Sequence, residues 1–170
     1  MLLFLLRHAE ALDSQPDARR MLSENGHAQI AQIARVIPSK DFSGITQIEH
    51  SPYLRAVETA GILKKHALPN ATLRVLPDIT PNDNPLPLAR ELASTAAQTP
   101  RLIVGHNPHI AHLASLLLSN GHGEYFFQPA TCMALERYSP ADPSATFGYW
   151  RLIWHINPDL GERACAAARP

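Results

Sequence analysis

Three short segments of the sequence carry basic side chains that could bind and transfer a phosphoryl group. Arg7 and His8 are adjacent, whereas Arg55 and His106 occur much later. An arginine guanidinium stays charged and presents a planar fork that binds two phosphoryl oxygens at once. A neutral imidazole can attack phosphorus, and a covalent intermediate divides one difficult step into two easier ones. These residue types therefore predict an anion site with covalent phosphoryl chemistry.

A metal site is another interpretation of the histidines in this sequence. Two arginines can neutralise a phosphate dianion without a metal ion. His106, His109 and His112 follow an i, i+3 spacing that can place metal ligands on one helix face. No carboxylate or cysteine stands at a ligand spacing beside them, so we interpret His109 and His112 as rim or surface residues. We predict no metal ion and no cofactor.

The segments that position the basic residues are predicted strands. Leu2–Leu6 is a continuous apolar run, typical of a strand buried on both faces. Ile45–His50 and Arg101–Gly105 are two further short strands. In an open α/β sheet, ligands bind beyond the carboxyl ends of the strands. We therefore expect the basic residues that follow these strands to meet at one edge of the sheet.

The rest of the pattern alternates helices with strands. Apolar spacing predicts a helix over Ser23–Ile37, and Pro52 favours the first position of a helix that ends near His66. Such alternation predicts an α/β fold with a doubly wound, mostly parallel sheet flanked by helices on both faces. The remaining predicted elements are a strand over Thr72–Leu76, a helix over Leu88–Ala97, a helix opened by Pro108, and strands over Thr131–Tyr138 and Tyr149–His155.

Length and composition indicate a single globular domain. The chain has 170 residues, of which 45% are hydrophobic and 18% charged, so it can bury a core without disulfides. We predict one domain over residues 1–156 and a frayed tail over residues 157–170, where no periodicity remains. Fifteen basic residues balance fifteen acidic ones, which lacks the basic excess of a nucleic-acid-binding protein.

The sequence also indicates the compartment. Six apolar residues at the start are too few for a signal-peptide core, and no basic residue precedes them. No run approaches the roughly 18 apolar residues of a membrane span. Two cysteines, Cys132 and Cys165, are too few for a disulfide scaffold. We therefore expect a cytoplasmic protein that binds neither membranes nor nucleic acid.

The segments LLRHAEA, SPYLRAVETA and VGHNP resemble the histidine phosphatase superfamily and, within it, the small SixA-type phosphohistidine phosphatases. The resemblance runs from Leu2 to about Tyr138 and includes Arg20–Ser23 with Gly26, and VLPDITP. It implies a phosphoglycerate-mutase-like fold. The brevity of the chain favours a small domain without the large lid insertion that related mutases and acid phosphatases carry.

The resemblance also implies a role for each motif residue. His8 would be the nucleophile that becomes phosphorylated, and Arg7, Arg55 and His106 would form the phosphate pocket around it. The family commonly has glycine after the Arg-His pair, where this chain has Ala9. The SixA-like branch often accepts alanine there, so the prediction for His8 is unchanged.

A general acid is harder to identify. Many relatives place a Glu or Asp after the third strand, where Asp78 is the nearest match. A general acid must lie within hydrogen-bond reach of the leaving atom. Glu10, Asp13 and Asp83 are the alternative candidates for this role. Glu58, where many relatives carry Gln, is interpreted as a helix residue without an assigned role.

The combined prediction is a metal-independent phosphatase that forms a phosphohistidine intermediate and hydrolyses phosphoric monoesters or phosphoramidates. Phosphohistidine in a protein is the favoured substrate, because a small domain without a lid leaves an open site. A small-molecule phosphomonoesterase with the same residues is one alternative. A non-catalytic phosphate- or phosphoprotein-binding module is another, although binding alone does not require the nucleophile His8.

Overall fold

Six strands and four α-helices form the fold within residues 1–159, which are the residues that this computed structural model describes. The strands are β1 (Leu2–Arg7), β2 (Gln47–His50), β3 (Thr72–Val75), β4 (Arg101–Gly105), β5 (Cys132–Ser139) and β6 (Tyr149–Ile156). The helices are α1 (Glu24–Val36), α2 (Leu54–Ala67), α3 (Leu86–Ala93) and α4 (His109–Ser119), with short 3-10 helices at Asp17–Arg19 and Ser39–Phe42. The prediction of a mixed α/β fold is confirmed.

The strands form one sheet in the order β3-β2-β4-β1-β5-β6. The first four strands in that order are parallel, whereas β5 is antiparallel to β1 and β6 is antiparallel to β5. Arg7 is in register with Gly105, and His50 is in register with Val104. The ends of β1, β2 and β4 therefore lie level at one edge of the sheet.

Two apolar layers cover the two faces of this sheet. Phe4 and Leu6 of β1 belong to a core cluster with residues of α1 and α2, whereas Leu3 and Leu5 belong to a second cluster with residues of α3 and α4. Successive side chains of a strand point to opposite faces, so a strand covered on both sides must be apolar throughout. These four side chains are at most 1% exposed, which explains the unbroken apolar run at the start of the sequence.

Three helix boundaries differ from the prediction by two residues or more, and one of them is the start of α3 at Leu86 rather than at Leu88. Helix α2 begins at Leu54 rather than at Pro52, because Tyr53 keeps an extended backbone as the N-cap residue. Helix α3 ends at Ala93, short of the predicted Ala97. The buried Arg137 guanidinium donates hydrogen bonds to the carbonyls of Leu92, Ser94 and Ala97. These backbone carbonyls at and beyond the helix end therefore have partners without a longer helix.

The predicted tail is described only in part, since residues 160–170 lie outside the described range. Pro158 is buried, and its carbonyl accepts a hydrogen bond of 3.2 Å from the Gln32 side chain of α1. The domain boundary at residue 156 stays a prediction. Within residues 1–159, every helix is too short or too polar to cross a lipid bilayer.

Candidate active site

His8 lies directly after β1, and hydrogen bonds hold both its backbone and its ring. Its amide donates to the Gly105 carbonyl at 2.9 Å. Its ring Nδ1 lies 2.7 Å from the Ala9 carbonyl oxygen, so Nδ1 carries the proton and donates it. The other ring nitrogen, Nε2, accepts a hydrogen bond of 3.1 Å from Arg55 Nε. The neutral tautomer with its lone pair on Nε2 is therefore the one this environment selects.

The surroundings of His8 keep its ring uncharged. Burial, followed by the charges of Arg55, Arg7 and Arg20, lowers the pKa of His8 to about 3, although the Ala9 carbonyl acts in the opposite direction. His8 is only 9% exposed. At neutral pH the imidazole consequently offers an unprotonated nitrogen, as a nucleophile requires.

Arg55 extends from the first turn of α2 and is 4% exposed. In addition to His8, its guanidinium binds Asp17 twice. Nη1 donates to the Asp17 carbonyl oxygen at 2.7 Å, and Nη2 donates to the Asp17 carboxylate at 3.1 Å. The guanidinium also lies 5.0 Å from the centre of the Tyr53 ring, a cation–π distance. Every nitrogen of this side chain thus has a defined partner.

Arg7, the last residue of β1, is held by the Phe127 carbonyl rather than by the Asp17 loop. Its Nη1 donates to the Phe127 carbonyl at 2.7 Å, and the Asn107 side-chain amide donates to the same oxygen at 3.0 Å. Arg7 Nε is buried and has no hydrogen-bond partner within residues 1–159. The guanidinium therefore keeps a donor available for a ligand.

His106 follows β4 and packs against His8, with the two ring centres 4.9 Å apart. It is 1% exposed, and neither of its ring nitrogens has a hydrogen-bond partner in the described part of the chain. Burial, followed by the proximity of the second imidazole, that of His8, and then by the charge of Arg55, lowers its pKa to about 2. An unsatisfied buried polar group costs about 1–3 kcal/mol, and such groups in native proteins often serve a ligand.

A pocket of about 410 Å³ opens at this edge of the sheet. Its lining includes three arginines and two carboxylates, so the charge is positive overall, which suits a phosphoryl dianion. The Glu10 carboxylate is also engaged, since it accepts hydrogen bonds from Ser23 and Asn25. The lining residues are Arg7, His8, Glu10, Ala11, Asp17, Arg20, Arg55, Pro81, Asn107 and Pro129.

Helix α2 also holds the segment that carries His8. The Glu58 carboxylate accepts a hydrogen bond of 2.7 Å from the Leu22 amide. The Thr59 hydroxyl accepts one of 3.1 Å from the Ala9 amide and donates one of 2.7 Å to the Arg55 carbonyl. Glu58, which had no role in the sequence prediction, is therefore a positioning residue for the segment after β1.

The structure separates the candidate acids. Asp78 is exposed and does not line the pocket of His8; together with Asp83 it lines a different pocket. Its neighbour Ile79 is 2% exposed and belongs to the core cluster under α3 and α4, which fixes the course of this loop. Asp13 is exposed and outside the pocket lining as well, whereas Glu10 lines it. The role of Asp78 as acid stays a prediction.

Two charged residues of the pocket lining, Arg20 and Asp17, are absent from the predicted site. Arg20 stands in a segment that carried the resemblance, but it was assigned no role there. Asp17 binds Arg55 across 38 positions of sequence, and no local pattern signals such a contact. Within residues 1–159, no group of three or more His, Cys, Asp or Glu side chains is placed to hold a metal ion. The interpretation of His109 as a rim or surface residue is wrong, since it is 2% exposed, whereas His112 is exposed.

Comparison with known proteins supports the resemblance. Residues 3–80 match the family model described as histidine phosphatase superfamily (branch 1). That stretch contains Arg7, His8 and Arg55 and ends before the VGHNP segment. No curated protein sequence matches this chain significantly. The predicted resemblance to the superfamily is thereby confirmed.

Solved structures share the fold over nearly the whole chain. The protein histidine phosphatase SixA in complex with tungstate has a TM-score of 0.79 at 23% identity, covering 94% of this chain and 99% of its own. A protein from Agrobacterium tumefaciens described as a phosphohistidine phosphatase SixA has a TM-score of 0.69 at 20% identity, covering 92% and 97%. Mycobacterial glucosyl-3-phosphoglycerate phosphatase with inorganic phosphate has a TM-score of 0.66 at 19% identity, covering 92% and 98%.

Proposed function

We propose that this protein is a metal-independent phosphatase that acts through a phosphohistidine on His8. The observation that carries the proposal is the state of the His8 ring, whose Nδ1 proton is bound by the Ala9 carbonyl while the Nε2 lone pair faces Arg55. A fixed tautomer, a low pKa and two adjacent arginines are what covalent phosphoryl transfer needs.

The first step frees the nucleophile. A phosphoryl oxygen accepts the Arg55 Nε–H that His8 Nε2 now accepts at 3.1 Å, and the lone pair of Nε2 becomes available. Nε2 then attacks phosphorus while the bond from phosphorus to the leaving atom breaks, and that atom takes the electron pair. Arg7, Arg55 and His106 hold the phosphoryl oxygens. The proton stays on Nδ1, and its hydrogen bond to the Ala9 carbonyl stabilises the positive charge that develops on the ring.

The second step returns the enzyme to its initial state. A water molecule attacks phosphorus, the P–Nε2 bond breaks, and its electron pair returns to the imidazole. The product is inorganic phosphate, and the proton lost by the water passes to the phosphate or to solvent. The arginines again carry the charge of the transition state.

The favoured substrate is phosphohistidine in a protein. A phosphorylated imidazole that is protonated on its other nitrogen departs as neutral imidazole and needs no strong enzymic acid. Both lining carboxylates lack the raised pKa of a general acid. Hydrogen bonds from Ser23 and Asn25 lower the pKa of Glu10; hydrogen bonds from Arg55 and Arg20 outweigh the effect of burial and lower the pKa of Asp17. The similarity to SixA supports the same substrate class.

A small-molecule phosphomonoesterase is the second candidate. The fold shared with glucosyl-3-phosphoglycerate phosphatase favours it, since that protein carries the same architecture over 98% of its length. The same lining residues would serve, and an acid such as Glu10 or Asp78 would then be required for the alkoxide leaving group. A phosphate-binding module without turnover is the alternative from another class.

Intact-mass measurement after a brief reaction with phosphoramidate, quenched without acid, tests the proposal. We expect an added mass of about 80 Da on the native chain, from covalent phosphorylation, and none on His8→Ala. His27→Ala, which alters an exposed histidine, is the matched control and should keep the adduct. Turnover should persist with EDTA. Phosphate binding without any adduct would favour the binding module, and an adduct on His8→Ala would exclude His8.

Initial rates with a phosphohistidine-bearing protein and with glucosyl-3-phosphoglycerate distinguish the two substrate classes. We expect the higher kcat/KM for the protein, because its leaving group needs no enzymic acid. A higher kcat/KM for the sugar phosphate would instead support the phosphomonoesterase.

A further inference from the structure

The side of the Arg55 guanidinium that could bind a phosphoryl group is already filled by two groups of the protein itself. Nε and Nη2 form the lateral pair of parallel donors that grips two oxygens of an anion. In this structure Nε binds His8 Nε2 at 3.1 Å, and Nη2 binds the Asp17 carboxylate at 3.1 Å. A phosphoryl group that takes this fork must therefore displace both.

The Asp17 carboxylate can leave Arg55 without disrupting the loop that carries Asp17. Arg55 Nη1 donates to the Asp17 backbone carbonyl at 2.7 Å, and this bond does not involve the carboxylate. The Asp17 side chain is 47% exposed, so its carboxylate has free space towards solvent. The carboxylate can consequently turn away while the backbone contact keeps Arg55 attached to the loop.

Asp17 also bridges two arginines in the way that a bound anion would. Its second carboxylate oxygen lies 3.3 Å from Arg20 Nη1, and Arg20 is fixed by a hydrogen bond of 2.7 Å from its Nε to the Leu12 carbonyl. Burial raises the pKa of Asp17, but hydrogen bonds from Arg55 and Arg20 outweigh it and lower the pKa overall. Asp17 is therefore an anion at neutral pH, and it repels a second anion placed at the same fork.

We propose that Asp17 is an internal competitor for the phosphate site, which positions Arg55 in the empty pocket and yields its place to the phosphoryl group. The inference rests on the proposed function, because it assumes that this pocket binds phosphate. Three arginines would otherwise retain the phosphate product strongly. The competing carboxylate weakens phosphate binding and so promotes product release.

The opposite role is that Asp17 remains on Arg55 throughout and orients it for the substrate. The two roles differ in the sign of one measurable effect. If Asp17 competes, removing its charge strengthens phosphate binding. If it orients Arg55, removing its charge weakens phosphate binding.

Isothermal titration of the full-length protein with inorganic phosphate measures that sign. For Asp17→Asn we expect a Kd about tenfold lower than for the native chain, since one like charge near the fork is removed. Asp13→Asn removes the same charge from an exposed position of the same segment, outside the pocket lining, and should change Kd by less than about twofold. Asp17→Ala, which also removes the competing acceptor, should bind at least as tightly as Asp17→Asn.

Steady-state kinetics with phosphoramidate provide a second readout. In Asp17→Asn we expect KM and kcat to fall together, because product release becomes slower, and inorganic phosphate should inhibit more strongly. Unchanged or weaker phosphate binding by both folded Asp17 variants would overturn the inference. Equilibrium binding does not need turnover, so tighter phosphate binding without any phosphoenzyme would leave the inference standing and refute the phosphatase proposal.

Discussion

Two ionic clusters lie at opposite edges of the same sheet, and they differ in charge balance rather than in size. The pocket at the carboxyl edge measures about 410 Å³, and a pocket near the amino ends of β2 and β4 measures about 440 Å³. The first is lined by Arg7, His8 and Arg55, and the buried His106 ring packs against His8. The second contains Glu49 with Arg74 and Arg101. Volume alone therefore does not identify the ligand site.

At the amino edge, the charges of the described residues satisfy one another. Arg101 donates to the buried Glu49 carboxylate at 2.7 and 3.0 Å, and its third nitrogen binds Glu91 at 2.6 Å. Arg74 approaches Glu49 at 3.4 Å. Burial would lower the pKa of Arg101, but Glu49 and Glu91 outweigh it and raise the pKa. Two carboxylates match two guanidiniums, which is the arrangement of a structural cluster.

The carboxyl edge is left incomplete by comparison. Arg7 Nε and both ring nitrogens of His106 are buried without a partner within residues 1–159. Proteins rarely leave buried polar groups unsatisfied, so these donors and acceptors indicate that a ligand completes the cluster. The comparison teaches that a functional ionic cluster is recognised by its missing partners.

The largest expected effect separates the clusters by activity. Arg55→Ala should lower kcat/KM for phosphoramidate on the order of 10³-fold, because it removes an arginine that neutralises transition-state charge. Arg74→Ala, from the other cluster, should stay within about twofold, since its charge is mostly exposed and screened. Equal losses in both variants would show that the distinction between the clusters is wrong.

The second-largest expected effect distinguishes the two ionic clusters by their contribution to stability. Arg101→Ala leaves the Glu49 carboxylate, which is 4% exposed, buried without its main partner. We expect the free energy of unfolding in urea to fall by about 3 kcal/mol, while the folded protein keeps its kcat. Adding Glu49→Gln should restore part of the loss. Arg151→Ala, which breaks an exposed pair with Glu136, is the control and should cost under about 1 kcal/mol. A loss no larger than that control would contradict the structural role.

The smallest expected effect concerns acid pH. The pKa of His106 in the folded chain is about 2, whereas its ordinary value is 6.5, so only the unfolded chain takes up the proton as the pH falls below 6.5. Stability is therefore complete above pH 6.5 and is lost on acidification, by roughly 1 kcal/mol from His106 between pH 6.5 and 5.5. Urea midpoints at several pH values measure this. His8, whose pKa is also lowered, adds a similar loss over this range. His106→Asn should therefore remove only the His106 share of the pH dependence, and the exposed control His27→Asn should keep the native profile; equal profiles for the two variants would refute the assignment.

Most of the fold follows from local patterns in the sequence. The two-sided burial of β1 is visible as the run Leu2–Leu6, and β4 has the predicted bounds. The prediction for the end of α3 is wrong because the Arg137 side chain, far away in sequence, donates hydrogen bonds to the carbonyls of Leu92, Ser94 and Ala97. Local propensity cannot report a contact made by a distant side chain.

The site also contains residues that the sequence could group and residues that only the tertiary structure could place. Arg7, His8, Arg55 and His106 could be grouped from the sequence by itself, since parallel strands end at one edge and each residue follows a strand or opens the helix after one. Only the tertiary structure brought Asp17 onto Arg55 and directed Asp78 to a separate pocket beside the buried Ile79. Strand ends are determined by short apolar periodicities, whereas the course of a loop depends on which of its side chains the distant core can bury.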